Sequence, residues 1–202
     1  MLELQHAEES EVVLEFLRAE IDSPRWSNHY PAALAEHGLN RTDLIDHADL
    51  RDKTANGVRR DLLGRFRGFG LNRLIFAGFP DDIRWRWVRL SEPELRILKY
   101  ANLPGWIELS GGTRLVTDGA KNLASMGAET IGSETKSIIE SIAQGVRDSH
   151  EFPALIAAES NEGFLVLVEG HCRATGYVTA GLSGNVDLLV GSSPRIPEWK
   201  FY

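Results

Sequence analysis

Apolar positions recur at two different periods along this chain, and the switch between them falls near residue 83. In the first part the spacing is helical. Val12, Val13, Phe16, Leu17 and Ile21 recur at three and four residues, a single apolar stripe that predicts a helix with Ser10 as its N-cap. Pro24, in "DSPRW", stops it. "PAALAEHGL" predicts a short helix with Pro31 in its first turn and Gly38 at its end. "LRDKTANGVRRDLLGRFRGFG" predicts a partly helical segment, weakened by Gly57, Gly64, Gly68 and Gly70. Residues 1–82 are therefore expected to form a helical N-terminal lobe that covers the core of residues 83–202.

From Ile83 the period becomes two. In "IRWRWVRLS", Ile83, Trp85 and Trp87 face one way and Arg84 and Arg86 the other, which predicts a half-buried strand. "SEPELRILKYA" predicts a short helix capped by Ser91 with Pro93 in its first turn. "WIELSGGTRLVTDGAKNLA" predicts a short strand, a Gly-Gly turn carrying Arg114, then a helix. Ser133 is expected to cap another helix, on which Ile138, Ile142 and Val146 recur every four residues beside Ile139 and Ala143. "FPALIAA" and "GFLVLVEG" are unbroken apolar runs either side of the turn signal "ESNEG", the pattern of strands covered on both faces. A helix runs from Cys172 or Arg173 to Ala180, closed by Gly181, and "VDLLVG" supplies a last strand. Residues 83–202 are expected to form an α+β domain on a small mixed sheet.

Composition narrows the class. The chain has 202 residues, 43% of them hydrophobic, enough for one good core. The longest apolar runs, such as Phe164 to Val168, are far too short to span a bilayer. The acidic start lacks the basic and apolar regions of a secretory signal, and the single cysteine, Cys172, excludes an internal disulfide; both agree with a cytoplasmic protein. The net charge of −7 is unevenly spread. Residues 1–50 hold 3 Lys+Arg against 11 Asp+Glu, whereas residues 51–89 hold 10 against 4. The basic block, with Arg59, Arg60, Arg65 and Arg67, could meet a nucleic-acid backbone or the acidic remainder of its own chain. The histidines show no metal-ligand spacing.

The chemistry concentrates where "VLVEGHCRATGYV" passes from strand to helix. The opening amides of a helix lack internal partners and carry the positive end of its dipole, which suits phosphate. Gly170 lets a ligand approach the backbone, Arg173 can fork onto two phosphate oxygens, and Thr175 can add a hydroxyl. His171 can donate to an anion or move a proton, and Glu169 can hold a metal ion or act as a base. The spacing is neither that of a P-loop nor that of a dinucleotide fingerprint.

Residues 105–191 resemble the ParB/sulfiredoxin-like superfamily in the order of their elements: a helix, a strand carrying "PALI", a turn, an apolar strand and a helix. "EGHCRAT" is similar to the "DGHTRA" loop of ParB-like free-serine kinases and to the G-E-R-R loop of ParB proteins. In those families the loop grips nucleotide phosphates. Gly170, His171, Arg173 and Ala174 match; Cys172 stands where the kinases have threonine and Glu169 where they have aspartate. "SGGTR" is a looser match to the family's first box and brings in Arg114. The resemblance implies a nucleotide, ATP, ADP or CTP, held with Mg²⁺ by Gly170, Cys172, Arg173, Ala174, Thr175 and Arg114, with Glu169 on the metal. His171 or Glu169 would then orient an attacking hydroxyl or water for a phosphotransferase or hydrolase acting on a small molecule. The alternative is a non-catalytic nucleotide-gated regulator that touches nucleic acid through the arginine block.

Overall fold

The computed structural model describes residues 1–21, 23, 26, 29–36, 38–160, 163–182 and 186–202. Pro24, His37 and the Asn161–Glu162 step of the expected turn lie outside them. The first element is a strand, β1 (Leu2–Ala7), exposed except at Ala7. An edge strand with so little to bury carries no clear alternation, so the hydrophobic pattern did not reveal it. The helix α1 (Glu9–Glu20) is next; its cap is Glu8 rather than Ser10, and the Glu8 amide donates to the Glu11 carboxylate at 2.8 Å. Then come α2 (His29–Glu36) and α3 (Lys53–Arg67), the latter capped by the Asp52 carboxylate. The basic segment is thus fully helical over fifteen residues despite its glycines.

The strand β2 (Arg84–Leu90) leads into α4 (Glu92–Arg96), with Ser91 and Glu94 as the expected cap. The predicted strand at "WIEL" is a helix, α5 (Pro104–Leu109). Pro104 sits in its first turn, where a missing N–H costs nothing, and Trp106 turns back to pack 4.8 Å from the Tyr100 ring. Local β propensity yields here to a tertiary contact. Next are α6 (Val116–Thr130) and α7 (Ser133–Arg147), then β3 (Leu155–Glu159), β4 (Leu165–Glu169), α8 (His171–Thr179) and β5 (Val186–Ser192).

The described residues make an α+β fold on one five-stranded mixed sheet in the order β1-β2-β5-β3-β4. Only β3 and β5 run parallel; α8 lies between β4 and β5 in the chain. Both faces are covered, as the unbroken apolar runs require. Ile156, Ala158, Val166 and Leu189 join the side chains of α1, α2 and α3 in one core, while Leu155, Ala157, Leu167 and Leu188 join Val116, Ala174 and Tyr177 in a second. The expected helical lobe of residues 1–82 is therefore better described as one outer layer plus an edge strand of the common sheet.

Candidate functional site

The candidate corner lies where β4 runs out into α8. Gly170 occupies the left-handed region, φ 99°, and caps the helix; a Cβ there would sit 2.5 Å from Leu155 Cδ2. The turn can form only because this position is glycine. Arg173, on the first turn, is 6% exposed. One of its terminal nitrogens donates to Ala154 O and to the Glu169 carboxylate, each at 3.3 Å, and its Nε is buried with no hydrogen-bond partner. The guanidinium therefore has two long bonds for five N–H groups, a poor match for a covered charge.

His171 lies against the rings of Tyr100 and Trp106, at 5.9 and 5.3 Å between centroids. Its Nε2 accepts the Ala101 amide at 3.2 Å. Burial pushes its pKa down to about 4, aided by the positive charges of Arg67, Arg173 and Arg114 and opposed by Glu169. The imidazole is neutral at pH 7, with its lone pair engaged. Thr175, fully buried, bonds Tyr100 Oη at 2.7 Å and His171 O at 2.8 Å. Ala174 is fully buried as well, whereas Cys172 is half-buried.

Arg114 does arrive near this corner, but it binds the chain itself. It donates to Tyr100 O at 2.7 and 2.9 Å, to Tyr202 O at 3.0 Å and to Phe201 O at 3.4 Å. Burial holds its pKa below the usual arginine value. Tyr100 is thus a hub that sequence reasoning missed. Its short segment joins Leu115 and Val166 through Lys99 on either side, and no motif marks it.

The arginine block is held mostly by partners within the chain. Arg59 is fully buried, bonded to Asn56 Oδ1 and Asp49 O, so a nucleic-acid contact through it is excluded. Arg60 pairs with Glu9, Arg65 with Glu36 at 2.6 Å, and Arg67 with Glu20 at 3.0 Å. These pairs bind α3 to α1 and α2, which is the intramolecular alternative the charge pattern left open. Arg67 differs from the others in that its positive charge is one of the causes that lower the His171 pKa.

On the loop itself the corner offers a single carboxylate, Glu169, and it is turned toward Arg173. Magnesium wants several oxygens in near-octahedral array, so this donor set does not fit a protein-held Mg²⁺. Among the described residues no group of three or more His, Cys, Asp or Glu side chains could hold a metal ion. The two cavities of note lie elsewhere. One of about 400 Å³ is lined by Ile21, Pro31, Leu34 and Arg41, and one of about 150 Å³ lies between α1 and α3. No helix among the described residues is long and apolar enough to cross a membrane.

Compared with known proteins, the chain matches no family model, no curated protein and no solved structure. The ParB/sulfiredoxin-like resemblance rests on the loop residues and element order alone.

Proposed function

We propose that the chain binds the phosphates of a nucleotide-type ligand at the β4–α8 corner and does no chemistry on them. One observation carries this reading: Arg173 is 6% exposed, its Nε has no partner, and it stands on the opening turn of a helix. A phosphate there would complete its hydrogen bonds and meet the positive end of α8. The likeness of "EGHCRAT" to phosphate-gripping loops supports the same ligand class. A kinase or hydrolase would need a proton acceptor, and His171 is a poor one. Its lone pair is held by the Ala101 amide, and its pKa is about 4.

Glu169 occupies the seat as the counter-ion of Arg173, so an entering anion displaces it. The test is a melting-temperature screen with ATP, ADP, CTP and inorganic tripolyphosphate, with and without Mg²⁺. The expected result is a rise with nucleotide, lost in Arg173→Met and enlarged in Glu169→Gln, with no phosphate released over hours.

A second reading has its own support. His171, Thr175 and Arg114 all bond to the Tyr100–Ala101 segment, which is how a purely structural junction would be built. On that reading no nucleotide and no tripolyphosphate moves the melting temperature.

A further inference from the structure

The cavity of about 150 Å³ between α1 and α3 borders an arginine whose charge the fold leaves unmatched, and it is independent of the β4–α8 corner. Its walls include Glu9, Ser10 and Val13 from the start of α1 and Gly57, Arg59 and Arg60 from α3. Arg59 is fully buried. One terminal nitrogen donates to Asn56 Oδ1 at 2.8 Å, the other to Asp49 O at 3.1 Å, and Nε is buried with no hydrogen-bond partner. Both acceptors are neutral oxygens, and no ion pair joins Arg59 to a carboxylate among the described residues. Burial is the main cause that holds its pKa below the usual arginine value; the charges of Asp52 and Asp49 oppose it, and that of Arg18 adds to it. A covered guanidinium without a counter-ion is costly.

We propose that this cavity seats one hydrogen phosphate ion, with Arg59 as its buried cation, the Ser10 hydroxyl as a donor and the Glu9 carboxylate as acceptor of the P–OH. Ser10 stands on the first turn of α1, where the helix dipole is positive. Gly57 leaves room, since a Cβ there would have nothing within 4 Å. The volume holds about five waters at roughly 30 Å³ each, so an ion of about five heavy atoms fits and a nucleotide does not. Glu9 and Arg60 pair at the rim, both about half exposed. A carboxylate on the wall repels sulfate, which offers only acceptors, but takes the hydrogen bond of the proton that phosphate keeps at neutral pH. The site therefore selects an oxyanion that carries its own donor.

The experiment is titration calorimetry of the whole chain with sodium phosphate and with sodium sulfate, the ionic strength held constant with chloride. Phosphate should bind at least about 10-fold tighter than sulfate, the contribution expected of one hydrogen bond to a charged group. Its affinity should be unchanged in excess tripolyphosphate, which is too large for the cavity. Arg59→Met should abolish phosphate binding in protein shown to be folded by its melting curve. Should that variant not fold, because Asn56 Oδ1 and Asp49 O lose their donor, Ser10→Ala should weaken phosphate by about 10-fold. Glu9→Gln should let sulfate bind as tightly as phosphate. Absence of phosphate binding by the parent chain overturns the seat, as does binding kept by folded Arg59→Met or, where that variant does not fold, by Ser10→Ala. Displacement by tripolyphosphate assigns the ion to the β4–α8 corner and overturns the seat while the corner stands. Sulfate binding the parent as tightly as phosphate overturns the assignment to hydrogen phosphate.

Discussion

Helix α3 and the β4–α8 corner are built from the same two residue types, glycine and arginine, and use them in opposite ways. In α3, Arg60, Arg65 and Arg67 each meet a carboxylate from α1 or α2. Their charge is cancelled where it stands, and the layer is tied together. At the corner, Arg114 meets only backbone oxygens, and Arg173 shares one nitrogen between a carbonyl and one carboxylate. Carbonyl dipoles hold a cation in place without neutralising it. The glycines diverge too. A Cβ on Gly57, within α3, would have nothing within 4 Å, whereas Gly170 is held at positive φ against Leu155 and Arg173. The densest run of arginines is thus the more fully neutralised, and the proposed anion seat falls where one isolated arginine, Arg173, stands on a helix start.

The widest separation between paired charges should come from Glu20. Removing it as Glu20→Ala leaves half-buried Arg67 and buried Tyr30 without their partner and should cost about 3 kcal/mol in urea denaturation. Glu36→Ala, which breaks only the exposed pair with Arg65, should leave the denaturation midpoint where it was. Equal effects would erase the distinction between buried and surface pairs within the layer.

Gly170→Ala comes next, at a cost of about 2 kcal/mol, since alanine must adopt φ near 99° and press on Leu155. A neutral outcome by thermal denaturation would show that the turn can relax, and the corner would lose its claim to be preorganised.

The His171 prediction is about pH. Its folded pKa is about 4 against an ordinary 6.5, so between those values the unfolded chain takes up a proton that the folded chain refuses. Stability present above pH 6.5 is therefore lost as pH falls toward 4, by about 2 kcal/mol after allowance for partial exposure. In His171→Gln the slope of denaturation midpoint against pH should flatten in that window. An unchanged slope would assign the effect to another group.

The smallest effect has the opposite sign. Gly57→Ala places a methyl in open space within a helix and should raise stability by about 0.5–1 kcal/mol, read as a higher melting temperature. A loss would mean that Gly57 has a contact of its own, and the contrast with Gly170 would narrow.

Much of the fold was legible because periodicity reports burial directly. The stripe of α1, the alternation of β2 and the unbroken runs of β3 and β4 each placed an element to within three residues. The start of α8 was legible for the same reason: Gly170 and the change of period coincide there. Where burial was slight or supplied from far along the chain, the pattern failed. The exposed edge strand β1 and the helix at "WIEL" are the two cases.

Local chemistry, then, was settled residue by residue: which segments are strand or helix, and that Glu169, Gly170, His171 and Arg173 share one turn. What those side chains are joined to was decided only by folding. The Ala101 amide on His171 and the Tyr100 hydroxyl on Thr175 both come from segments 70 or more residues away. Hydrogen bonds and charges act through space over a few ångströms, and no local pattern encodes which distant segment will fill that space.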